Sequence, residues 1–273
     1  LANTPGSGQM SLTFGNNEEW NSLWKYTYIV GDGADTNGFW LDLSQNIPAN
    51  NQSNFDNFNA QGSYNMVVAV KPDDANVVFI GGTNLYRSTD GFTTTLNTTQ
   101  IGGYKIGTNF PQTQNNETGL PDFELYLNHH PDQHKVLFLP SDNNVLINAN
   151  DGGIYKTDNV MDSVVSWNTL NNSYRTTQLY AVTISKNPGS NFIHGGFQDN
   201  GNFITFSNNP AEPWLKPLDG DGCFGAVSDD ENNYYFSIQR GRVYKLQLDT
   251  YGNRTAFNRI DPIGSDKDNF LFI

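Results

Sequence analysis

Basic residues are scarce in this chain: 15 Lys and Arg among 273 residues, against 28 Asp and Glu, for a formal net charge of −13. None of them cluster. A phosphate backbone is held by clustered cations, so no nucleic-acid partner is expected, and an anionic membrane surface is disfavoured for the same reason. Cysteine is nearly absent. The one thiol, Cys223, has no partner within the chain, so no internal disulfide forms and cysteine usage leaves the compartment open. No apolar run approaches the roughly 18 residues that a spanning helix needs, so no membrane insertion by helices is expected. Phosphate-binding loops, nucleophile elbows and dinucleotide fingerprints are also missing. The nearest string, "GDGADTNG" from residue 31, has too few glycines at the required spacing and no helical pattern after it. No cofactor is expected.

What remains is rich in the material of a β protein. Hydrophobic residues make up 36% and aromatics 13%, enough for a large core, while only 16% are charged. Polarity comes from Asn, Ser, Thr and Gly, which suit short strands joined by tight turns. The chain opens "LANTPGSGQM", without an initiator methionine or a basic start, and ends in the apolar "NFLFI". The expectation is a processed chain or a piece of a larger parent protein with other domains.

Four segments repeat one pattern of strand, polar turn, strand, Gly/Asn turn, strand, longer turn, weak fourth strand: residues 64–99, 134–170, 179–218 and 223–260. The last three start about 45 residues apart, the spacing of four-stranded propeller blades. The first gap is longer because residues 100–132 read as an insertion. Residues 9–47 look like the later strands of an earlier, partial blade, and 269–273 like the start of another. The fold expected is therefore all-β, a β-propeller of four-stranded antiparallel blades forming part of a larger ring. The stretches 66–71, 135–139, 180–185 and 223–228 should be the inner strands of successive blades.

Within the first unit, "VKPDDANVVFIGGTNLYRSTDGFTT" resembles the Asp-box repeat of sialidase-like, sortilin-like and xyloglucan-hydrolase-like propellers. Ser88, Asp90 and the threonines fit that pattern, while Phe92 replaces its Gly and Thr95 its Trp. "KTDNV", residues 156–160, is a more degenerate copy. The ordered set "HPDQH", "NDGGIYKTD", "GGFQDNG" and "DGDGCFGAV" is similar to exported sortilin-like propellers of Bacteroidota-type bacteria, which sit in long secreted or surface proteins. The resemblance implies a secreted or cell-surface location. It also implies a structural role for Ser88 and Asp90, with the aspartate accepting backbone N–H bonds in the turn between third and fourth strands.

Two constellations carry candidate chemistry. His129, Asp132 and His134 fall within six residues. They read either as a zinc-like site, completed by Asp151 or His194, or as hydrogen-bonding ties between blades; the tie is favoured, so no metal is expected. Three Gly-rich acidic turns recur in adjacent blades: "NDGG" at 150–153, "QDNG" at 198–201 and "DGDG" at 219–222. If the blades superpose, Asp151, Gln198, Asp199, Asn200, Asp219 and Asp221 gather at one rim. They read as repeated turn chemistry or as a ligand-binding face. Trp40, Trp167, Trp214, Tyr64 and Tyr180 are candidate stacking planes. The leading functional expectation is a non-catalytic module binding a polysaccharide or protein ligand through that rim. A glycoside hydrolase of the xyloglucan-hydrolase-like type is the alternative, although in those relatives the acid and base face each other across two propellers. A spacer without a ligand is the third reading.

Overall fold

The computed structural model describes residues 1–13, 17–49, 54–107, 124–174 and 177–262. The terminal strand expected at 269–273 lies outside them. The chain is all-β, with strands β1 (Ala2–Asn3), β2 (Gln9–Leu12), β3 (Glu18–Ser22), β4 (Trp24–Tyr28), β5 (Gly38–Asp42), β6 (Val67–Lys71), β7 (Asp74–Gly81), β8 (Leu85–Ser88), β9 (Thr98–Gly102), β10 (Gln133–Leu139), β11 (Asp142–Asn150), β12 (Gly153–Thr157), β13 (Asn168–Thr169), β14 (Leu179–Ile184), β15 (Ile193–Phe197), β16 (Gly201–Thr205), β17 (Leu215–Leu218), β18 (Gly222–Val227), β19 (Tyr234–Ile238), β20 (Arg242–Leu248) and β21 (Arg254–Arg259). β6–β9, β10–β13, β14–β17 and β18–β21 each form a four-stranded antiparallel meander, the blade of a β-propeller.

The turns follow from short polar side chains that bond to the backbone two residues on. Between the first and second strands, Asp74, Asp142 and Asp230 accept the N–H of Asn76, Asn144 and Asn232 at 2.9, 2.9 and 3.2 Å. Ser190 does the same for Phe192 at 3.1 Å in the third blade. The strands themselves alternate: on β19, Tyr234, Phe236 and Ile238 are buried, and on β20 Tyr244 and Leu246.

The chain divides into two compact units, Leu1–Tyr174 and the remainder. In the first, β10 lies beside β6, and in the second β14 lies beside β18, so within each unit the first strands of consecutive blades are neighbours. The first unit's main core joins Val67, Phe79, Leu85 and Ile101 of one blade to Val136, Leu146, Val165 and Trp167 of the next. In the second, Phe192 of one blade packs on Tyr234 of the other with ring centres 5.2 Å apart.

Three features differ from the sequence reading. Residues 9–47 do not form one sheet: β2 and β3 join β1, while β4 and β5 make a separate hairpin. The fourth strand of the first blade is β9, placed where the insertion was read to begin, because the Thr-rich run before it forms a turn around Asp90. That turn also inverts the expected roles. Ser88 Oγ accepts the N–H groups of Asp90 and Phe92 at 3.2 and 2.8 Å. The Asp90 carboxylate instead accepts the side chains of Ser88, Thr94 and Asn97 at 2.8, 2.6 and 3.0 Å. Desolvation raises its pKa, but these bonds outweigh it and hold the carboxyl below its ordinary range.

Candidate functional site

In an antiparallel blade the turn between the second and third strands lies at the same end as the start of the first strand. "NDGG" and "QDNG" both occupy that turn, between β11 and β12 and between β15 and β16, so Asp151 and Asp199 are equivalent within their own blades. Gly153 and Gly201 follow them with φ of +113° and +95°. A Cβ there would meet Asn171 Oδ1 at 2.2 Å and the Leu218 carbonyl at 2.7 Å. The glycines thus make room for the blade's own fourth strand or the chain leaving it, rather than for a ligand.

In the first unit the loop entering β10 is bound into the preceding blade. Asp132 Oδ1 accepts Gln61 Nε2 at 2.9 Å and Asn65 Nδ2 at 2.7 Å, and its own N–H donates to the Thr83 carbonyl at 2.9 Å. His129 is buried against Trp167, ring centres 4.3 Å apart, and its Nδ1 accepts the Gly103 N–H at 2.9 Å. Burial pushes its pKa down to about 3, so the ring is neutral. His134 is instead half exposed; it hydrogen-bonds Asp151 and packs edge-on against Tyr64. His129, Asp132 and His134 therefore have three different sets of partners. Among the described residues no three His, Cys, Asp or Glu side chains are grouped to hold a metal.

In the second unit, Asp221 immediately precedes β18 as Asp132 precedes β10. It is only 5% exposed. Its Oδ1 accepts the Asp199 N–H at 2.7 Å, and its own N–H donates to Gln239 Oε1 at 2.8 Å. The "QDNG" turn is thus clamped from behind through its backbone. Asp199 takes φ +56°, and the Asp199 and Asn200 side chains are exposed with Gln198 half-buried. Asn200 Nδ2 reaches Thr177 Oγ1 at 3.1 Å, and Asp219 pairs with Lys216 at 2.5 Å. Beside Asn200 a small cleft of about 230 Å³ is lined by Thr177, Phe197, Phe203 and Trp214.

Of the proposed stacking planes, Trp167 is core, Trp40 and Tyr64 are 64% and 67% exposed, Trp214 lines the small cleft and Tyr180 is half-buried. Sequence reasoning missed Gln133, fully buried, whose Nε2 bridges the carbonyls of Thr83 and His130 at 3.1 and 3.0 Å. Its position at the first residue of β10 was the available signal.

No family model matches the chain, and no curated protein sequence does. Among solved structures it is similar to an ancestral GH74 enzyme, with 14% identity, a TM-score of 0.24, and 74% of this chain and 34% of that one covered. It is also similar to the Cps50 (Swd1) β-propeller domain of Myceliophteria thermophila, with 8% identity, a TM-score of 0.25 and coverage of 76% and 69%. The chain thus spans about a third of the length of the GH74 enzyme.

Proposed function

We propose that this chain is a non-catalytic ligand-binding propeller module of a secreted or cell-surface protein, holding a glycan or protein through the rim that carries the "QDNG" turn. The observation that supports this most is the division of labour in the Gln198–Asn200 turn. Its backbone is fixed by Asp221 while the Asp199 and Asn200 side chains stay exposed. A turn anchored through main-chain atoms needs no backbone ordering on binding, so only its side chains bear that cost. The Phe197, Phe203 and Trp214 rings beside Asn200 offer the apolar faces that sugar C–H groups or aliphatic side chains need. The Ser88–Asp90 turn is read as an Asp box, which is a structural device.

Hydrolysis would need a general acid with a raised pKa, whereas the carboxyls of Asp32, Asp73, Asp90, Asp230, Glu231, Asp249 and Asp261 are held below their ordinary range. The test is a glycan array and a pull-down from the protein's native surroundings, run with the wild type and with Gln198→Ala/Asn200→Ala. A ligand held by the wild type and lost by the double variant supports the reading. Release of reducing sugar from a polysaccharide, or a ligand indifferent to these side chains, overturns it.

A further inference from the structure

In the first unit a cleft of about 630 Å³ opens beside β9. Its walls include Gln45, Asn46, Asp56, Tyr86, Thr98 and Gln100, and among the described residues neither Lys nor Arg lines it. The volume lies within the ordinary range of ligand sites.

Three side-chain amides in this cleft are held in the same manner. Gln45 Nε2 donates to the Gly8 carbonyl at 3.3 Å, Asn46 Nδ2 to Phe92 at 2.7 Å and Gln100 Nε2 to Tyr104 at 2.8 Å. Each bond fixes an amide plane from its nitrogen end and leaves the amide oxygen as an acceptor. The Tyr86 hydroxyl is given to the Asp56 carbonyl at 2.8 Å, and both Asp56 carboxylate oxygens accept the Gly107 N–H at 2.9 and 3.1 Å.

The donor set selects the ligand. Among the described residues that line it, acceptors are in excess and no cation is present, so an anion has nothing to pair with. A metal ion finds one carboxylate among them, already engaged. An extended peptide added to the edge of β9 meets a carbonyl already in use, since Trp167 Nε1 donates to Ile101 O at 2.7 Å. A molecule that donates many O–H groups and carries no charge fits. We propose that this cleft is a binding site for a neutral oligosaccharide. Its hydroxyls donate to the amide oxygens of Gln45, Asn46 and Gln100, while Pro48 and the exposed Ile106 contact its apolar faces. The site shares no residue with the "QDNG" turn.

The test is calorimetric titration with cellotetraose, maltotetraose and a tetragalacturonate, together with a five-residue Thr/Val peptide, on the wild type, Gln45→Leu and Gln100→Leu. One neutral tetrasaccharide should bind one-to-one, unchanged between 50 mM and 500 mM salt. Its affinity should fall about tenfold in each variant, as expected for the loss of a hydrogen bond to a ligand hydroxyl. Gln45 is exposed, so its variant guards against a folding defect. The proposal is overturned if neither neutral sugar binds, if the uronate or the peptide binds in preference, or if both variants bind as the wild type does.

Discussion

The two seams between blades, one in each unit, solve the same packing problem by different means. In the first unit, the seam between β6–β9 and β10–β13 is filled by large side chains: Trp167, His129 and Gln133, with Trp167 Nε1 donating to Ile101 O and Arg87 Nη1 to Asp162 O at 3.0 Å. In the second, the backbones of β14–β17 and β18–β21 come together directly. A Cβ at Gly196 would lie 1.9 Å from the Cys223 carbonyl, and one at Gly222 would lie 2.0 Å from the Gly201 carbonyl. Both seams share two devices. An aspartate just ahead of the first strand ties it to the preceding blade, Asp132 in one and Asp221 in the other. A buried histidine packs on an aromatic ring, His129 on Trp167 and His194 on Phe236, the latter stacked at 4.5 Å. Polar ties thus set blade register, while the filling between blades is free to vary.

The largest expected effect is at the bulky seam. Trp167→Ala removes a fully buried ring and a hydrogen bond, and should cost about 3–5 kcal/mol in denaturant unfolding. If it costs less than 1 kcal/mol, the first seam is not held by its side chains. Next, Gly196→Ala should cost about 3 kcal/mol, at the upper end for overpacking, because backbone must move. Gly81→Ala should cost less, since its Cβ would meet Gln133 Cβ at 2.8 Å, a far smaller overlap than the 1.9 Å at Gly196. Equal costs would erase the distinction between the seams.

Acidification should bear on both histidines. Burial lowers the pKa of His129 to about 3 and also lowers that of His194. A depressed folded-state pKa means that the unfolded chain binds the proton more readily. The stability these rings contribute is therefore full above the unfolded value near 6.5 and falls as pH drops below it. For His129 the window runs from about 6.5 to about 3, with a loss of roughly 2 kcal/mol by pH 5. The unfolding midpoint of His129→Gln should therefore depend less on pH between 7 and 5 than the wild type does; identical dependence would contradict the neutral buried ring. The smallest effect separates two neighbours in one turn. Ser88→Ala strands two N–H groups and should cost about 1–2 kcal/mol, while Asp90→Ala, whose partners Thr94 and Asn97 reach solvent and which leaves one buried partner, Ser88, should cost less, about 1 kcal/mol. The reverse order would restore the aspartate as the turn's anchor.

Much of the blade plan was legible because it is local. Val/Ile/Phe runs place the first strands to within two residues, and polar and Gly/Asn stretches place the turns. The equivalence of Asp151 and Asp199 followed from periodicity alone. What escaped depends on chain segments far apart. His129 looks like a metal ligand until Trp167, 38 residues on, covers it. Asp221 looks like a rim carboxylate until the Asp199 N–H claims it. β9 was hidden because Thr and Asn serve strand and turn equally well, and the residues lining the large cleft come from separate elements that no periodicity links.

In the proposed module Asp221 holds the "QDNG" turn and Asp199 faces the ligand. The most direct measurement compares Asp199→Asn with Asp221→Asn, reading both thermal midpoint and binding to whatever glycan or protein the wild type retains. Asp199→Asn should abolish binding with an unchanged midpoint, because its turn is anchored through the backbone N–H, while Asp221→Asn should lower the midpoint by several degrees. A lowered midpoint in Asp199→Asn with binding retained would contradict this assignment and make these carboxylates turn chemistry alone.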